Sequence, residues 1–174
     1  MDIGYFRTLA RYNAWANHRL YDACLKLPED AYYVNRKVFF GSIHRTLNHI
    51  LLGSRAWMAR IEGIAPSETG ITSLDQELYT DRDSLWFAQQ EEDARVIDRL
   101  DTMDMAQLGG ELSYRTMTGI EQRQPLSLIL GHLFNHGTHH RGQVHAMLSQ
   151  VPTDPPPLDL IYFLRDQETN PALS

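Results

Sequence analysis

Apolar residues recur along the chain in four long helical stripes. In residues 3–27, Phe6, Leu9, Tyr12 with Asn13, Ala16, Leu20, Ala23 and Leu27 follow at steps of three and four, the period of one helix face. Pro28 ends that helix, having no N–H with which to continue it. A second stripe opens after Ser42, whose hydroxyl suits an N-cap. It carries Ile43, Thr46, Ile50, Gly53, Trp57 and Ile61 to about Glu62 and stops at Gly63. A third helix is expected from about Leu74 or Asp81 to about Leu100. The fourth opens at Pro125, well suited to a first helical position, and runs to Gln150, where VPTDPPP breaks it. Between these lie an irregular connection (28–41), a Gly-, Pro- and Ser-containing loop (63–72) and a β-hairpin or extended connection (109–124) with a turn at Gly119. A short final helix is expected over 158–165. Without internal repeat or linker, the pattern predicts an all-α four-helix bundle forming a single domain over residues 1–174.

Composition narrows the function. The hydrophobic fraction of 43% and charged fraction of 22% are those of an ordinary globular chain, which argues against disorder. A net charge of −6 lacks the basic footprint that phosphate binding uses, so no nucleic acid partner is expected. One cysteine forms neither an internal disulfide nor a thiolate cluster, and Cys24 reads as inert core. The start MDIGYFRTLARYN is no secretory signal and no run approaches a membrane span, so a cytoplasmic location with no membrane partner is expected. Trp15, Trp57 and Trp86 read as core or interface aromatics, and Asp81, Asp83, Glu91, Glu92 and Asp93 as a solvated face.

Histidine changes the picture. Of 8 histidines, His132, His136, His139, His140 and His145 crowd onto the fourth helix. At about 100° per residue, the apolar seam of that helix centres about 60° from His136; His140 falls inside the seam and His136 on its edge. His132 and His139 lie about 100° or more from the seam centre, and His145 faces away. Two imidazoles at i and i+4 share one helix face, which suits convergence on one metal ion; bonded core histidines are the plainer alternative. The other helices offer His18, His44 and His49. On the second helix His49 stands at the seam edge and His44 outside it. Gly53, one turn beyond His49, removes bulk from the same face, so His49 is the expected third ligand, or else a boundary histidine touching solvent.

Three histidines with no cysteine or carboxylate suit zinc, nickel or another borderline divalent ion, with a position left open for chemistry. Gly137 follows His136, so the HExxH arrangement of a zinc peptidase is absent. His139, Arg141 and Gln143 flank the pair and are candidates to orient ligands or bind an anionic substrate; a solvated helix face is the alternative. Gly142, mid-helix, suggests close packing.

The stretch GHLFNHGTHHRGQVHAML resembles the last bundle helix of the DinB/YfiT-like family of candidate metalloenzymes. LNHILLGSRAWMARIEG resembles its second helix, and YFRTLARYNAWANHRLYDAC its first; the likeness runs to about residue 165. The resemblance implies an up-down-down-up bundle with a divalent metal on His49, His136 and His140, and homodimers formed through bundle helices. It implies thiol-dependent transferase or isomerase chemistry with bacillithiol, mycothiol or glutathione and a small-molecule substrate. Gly53 and Ser54 stand where the resemblance leads one to expect a bulkier, often acidic pair. Three functions follow as expectations. The first is a metal-dependent enzyme, an S-transferase ahead of a hydrolase. The second is a non-enzymatic, stress-related metal-binding module, and the third a metal-free bundle with core histidines.

Overall fold

The structure, a computed structural model, describes residues 2–170. Its elements are α1 (Ile3–Leu25), α2 (Glu29–Tyr33), α3 (Ile43–Glu62), a 3₁₀ turn (Pro66–Glu68), α4 (Arg82–Thr102), α5 (Met105–Leu108), β1 (Glu111–Arg115), β2 (Glu121–Pro125), α6 (Leu126–Leu148) and α7 (Leu160–Thr169). Among the described residues, no helix is long and apolar enough to cross a membrane.

The helix starts follow capping chemistry. Asp2, Ser42, Asp81 and Asp104 each accept a hydrogen bond from a backbone N–H three residues on, satisfying a donor that the helix leaves free. Gly63, at φ 74°, stops α3 in the left-handed region that glycine enters without strain.

Helix directions follow from the side-chain contacts. Arg7 at the start of α1 donates to the carbonyls of Leu100, Asp101 and Met103 at the end of α4, while Arg82 at the start of α4 donates to the Leu27 carbonyl. These helices are antiparallel. So are α3 and α6, on which His49 meets His136 and Trp57 meets His132. Leu47 clusters with Leu85 and Met58 with Val96, so α3 and α4 run the same way. The result is the up-down-down-up order, with residues 63–81 returning the length of the bundle.

Two apolar clusters fill the ends of the bundle. One gathers Leu20, Cys24, Leu47, Leu85 and Leu148; the other gathers Phe6, Met58, Leu100, Leu126 and Leu130. Between them lies a polar layer, and it overturns three expectations. Glu92 and Asp93 are not a solvated face: they are only 3% and 6% exposed. Asp93 accepts from Asn13, Asn17 and Gln89, and burial pushes its carboxyl up to about 7. Arg141 is likewise buried, donating to Asn13, Asn17 and Thr138. Asn13 and Asn17 of α1 partner both Asp93 and Arg141, while Ser54 and Arg95 donate to Glu92, as burial of charge requires. Gly142 packs against nothing; Gly137 is the close approach, facing Asn13 and Arg141.

The connections also differ in detail. The 28–41 connection contains the short helix α2, and α5 interrupts the approach to the hairpin. The third long helix begins at Arg82 rather than Leu74, α1 ends at Leu25, α6 at Leu148, and the last helix extends to Thr169. The hairpin forms as an antiparallel pair with register Glu111↔Pro125 to Arg115↔Glu121, turning through Gly119 at φ 82°. Trp15 is buried against Tyr12 and Phe163, Trp57 and Trp86 are half-buried, and Cys24 is fully buried, its thiol raised far above its usual range.

Candidate metal centre

The antiparallel pairing of α3 and α6 brings His49 against His136 and His140. One ring nitrogen from each of the three lies within 4.8 Å of the other two. Among the described residues, no other three histidine, cysteine or acidic side chains converge in this way.

Hydrogen bonds define which nitrogens face inward. His49 Nδ1 lies 2.8 Å from the Leu74 carbonyl, which only accepts, so the proton sits on Nδ1 and Nε2 is bare. His140 Nδ1 lies 2.8 Å from Gln143 Oε1, and the Gln143 Nε2 donates to His139 Nε2, so His140 also presents a bare Nε2. His136 Nε2 lies 3.1 Å from His49 Nε2 and donates to it. Replacing that one proton leaves a free lone pair on each of three rings that offer nitrogens within 4.8 Å of one another. Nitrogen donors about 2.0–2.1 Å from a tetrahedral ion stand roughly 3.3 Å apart; the His49–His136 pair is already at 3.1 Å, and all three residues offer nitrogens within 4.8 Å of one another. The donor set thus fits a divalent ion of the zinc type, and a carbonyl anchoring the far nitrogen is the usual support of such a ligand.

Gly53 makes this approach possible. A Cβ at position 53 would stand 2.6 Å from His136 Cε1, so only glycine lets the ring lie against α3. Neighbouring Ser54 donates to Glu92. Burial holds all three imidazoles below the usual histidine range; for His136, burial and the adjacent rings of His140, His49, His132 and His139 bring the value to about 3. The rings are therefore neutral, the form that ligates metal.

The centre opens into a cavity of about 830 Å³ walled by Val38, Phe39, Phe40 and Leu74, with Asn35, Arg45, Asp75, His139 and Gln143 supplying polar groups. Phe40 stacks on His49 at 4.0 Å between ring centres and meets His140 edge-on. His139 is exposed on the cavity wall, and Gln143 touches His140 directly. Arg141 points the other way, into the polar layer, and touches none of the three rings. His132 is exposed on the outer rim, edge-on to Trp57. His18 is exposed beside Asp22.

His44 departs most from the helical-wheel expectation. It is buried, with Nε2 facing the Tyr79 carbonyl and Glu77 and Nδ1 facing the Tyr32 hydroxyl. Asn48 beside it accepts from the N–H groups of Leu78 and Tyr79 and donates to the Tyr79 carbonyl. Sequence reasoning missed Asn48, Phe40 and Gln89. A polar trio at positions 44, 48 and 49 on a helix already carrying an apolar seam was the available sign of a second buried face.

The DinB family model matches residues 2–171. Protein DinB of Bacillus subtilis (strain 168) is 28% identical over 167 residues, spanning 94% of this chain and 96% of that protein. A single family model thus covers all four long helices and the three converging histidines, and the chain belongs to the DinB family.

Proposed function

We propose that the protein is a metal-dependent enzyme in which His49, His136 and His140 hold a divalent ion, zinc or nickel, and that it transfers a low-molecular-weight thiol to an electrophilic small molecule. The carrying observation is three neutral imidazoles with ring nitrogens within 4.8 Å of one another, two of which, His49 and His140, line a cavity of about 830 Å³. Three protein ligands leave a coordination position open, which distinguishes catalytic from structural zinc. When bound there, the ion lowers the pKa of a thiol or water and makes it a nucleophile at neutral pH.

The chain's own residues supply orientation. The Leu74 carbonyl and Gln143 Oε1 fix the far nitrogens of His49 and His140, holding both rings toward the centre. Phe40 and Leu74 give the cavity wall apolar surface beside the centre. Arg45 contributes a guanidinium to the cavity wall, suited to an anionic thiol or substrate. In the reaction the thiol loses its proton, a carbon–sulfur bond forms, and the bond from that carbon to its leaving group breaks. The preference for a thiol over water comes from resemblance to the family, an associational ground.

Elemental analysis of protein purified without a histidine tag is expected to find one divalent ion per chain, lost in His136→Ala. Loaded protein is then offered electrophiles with glutathione, bacillithiol and water as competing nucleophiles. Thioether products are expected; protein that binds no ion, or products of water attack alone, would refute the thiol-transfer reading.

A further inference from the structure

His49 and His140 each have a direct partner for the nitrogen that faces away from the centre. Among the described residues His136 has none: its only hydrogen bond is through Nε2, and its Nδ1 lies beside Gly53. His136 lines a small cavity of about 10 Å³, together with Ser54, Gln89 and Asn13 among apolar neighbours. That is room for one water molecule, which needs two to four polar partners to be held.

The walls supply them. Gln89 is 1% exposed and donates from Nε2 to Asp93, which fixes the orientation of its amide. Its Oε1 is fully buried and accepts from no protein donor. Ser54 Oγ donates to Glu92 and retains lone pairs. Asn13 has a partner at each end of its amide, donating to Asp93 and accepting from Arg141. His136 and Gln89, whose Nδ1 and Oε1 have no protein partner among the described residues, thus both line one small cavity. A buried acceptor with no donor is rare and calls for a partner.

We propose that Gln89 is a positioning residue for His136, acting through one buried water that bridges His136 Nδ1 and Gln89 Oε1. Water suits both states of the ring. It donates to Nδ1 while His136 Nε2–H donates to His49, and it accepts from Nδ1–H once Nε2 serves as a ligand; its other hydrogen stays on Gln89 in each case. The bridge makes His136 equivalent to its two partners, each of which has its outward nitrogen held, and links the centre to the polar layer around Asp93. The inference rests on the metal reading for its affinity and resonance arms, and not for its crystallographic one.

Two variants separate this role from a general effect on the layer. Gln89→Met keeps the length and removes the acceptor. Asn17→Ser removes a donor from the same Asp93 and does not line the cavity. Competition titration with zinc is expected to show affinity reduced about 10–100-fold in Gln89→Met and unchanged in Asn17→Ser. In the zinc-loaded wild type, the His136 Nδ1–H resonance should exchange slowly, and Gln89→Met should lose it. Equal losses in both variants, or wild-type affinity in Gln89→Met, would overturn the proposal. A high-resolution crystal structure of the wild type provides a test that needs no ion and no variant: an ordered water within hydrogen-bond reach of both atoms supports the bridge, and its absence refutes it. If no ion binds at all, the metal reading fails and this crystallographic arm still decides the bridge.

Discussion

Gly53→Ala tests whether the centre depends on backbone space. The added methyl would lie 2.6 Å from His136 Cε1 and 3.0 Å from its Nδ1, against ordinary contacts of about 3.5–4.0 Å. The ring must retreat by roughly 1 Å to restore that spacing. Alanine in place of a mid-helix glycine gains about 1 kcal/mol of helix propensity, and overpacking costs about 1–3 kcal/mol. Stability of the ion-free protein should therefore fall by no more than about 2 kcal/mol. Metal affinity should respond far more, because ligand distances tolerate only about 0.2 Å of error. A fall of at least the ~10–100-fold that follows loss of a mere supporting partner is expected. Gly142→Ala is the control: its Cβ would meet nothing within 4 Å, so it should gain about 1 kcal/mol and bind zinc like the wild type. Urea denaturation in chelator gives the stabilities and competition against a chromophoric chelator gives the affinities. Wild-type zinc affinity in Gly53→Ala, with Gly142→Ala stabilised as expected, would refute the reasoning.

Gln143→Leu removes the acceptor on His140 Nδ1 at a half-buried position; zinc affinity by competition titration should fall about 10–100-fold while stability stays within about 0.5 kcal/mol. Arg141→Ala strips Asn13 and Asn17 of a buried cationic donor, and a urea titration should show a loss of about 3–5 kcal/mol. The ion-free protein should lose stability as pH falls from 6.5 toward 3, because His136, held near 3, refuses a proton that the unfolded chain accepts. Asp93, raised to about 7, acts in the opposite sense, losing stability as pH rises from 3.8 to 7. The His136 contribution is therefore read as the difference in slope between wild type and His136→Phe, and equal slopes would contradict it.

The seam of α6 could be read from sequence because Leu126, Ile129, Leu133, Val144 and Met147 mark it at helical spacing, and that seam orients His140 and His136 without any knowledge of neighbours. Gly53 was legible for a related reason: a glycine mid-helix is unfavourable unless space is needed. The polar layer was not. Asp93 and Glu92 sit among other charges on a helix with a weak apolar stripe, and nothing local says that Asn13 and Asn17 of α1 will meet Asp93. The i, i+4 pair of asparagines within the stripe of α1 was the only local hint. Helices α2 and α5, at 5 and 4 residues, are too short to display a helical period at all. His44 was misplaced because a helical wheel assumes one buried face, whereas α3 has a second face under the crossover.

That crossover has a kinetic consequence. None of residues 63–81 is buried, and the segment is tied to α3 through Asn48, His44 and His49. Segments with so little buried surface open locally, without global unfolding. Opening here would free the Leu74 carbonyl from His49 and remove one wall of the cavity in the same event. Entry to and exit from the centre should then follow the breathing of this one strap, and amide exchange at Leu78 and Tyr79, whose N–H groups bond Asn48, should report its rate.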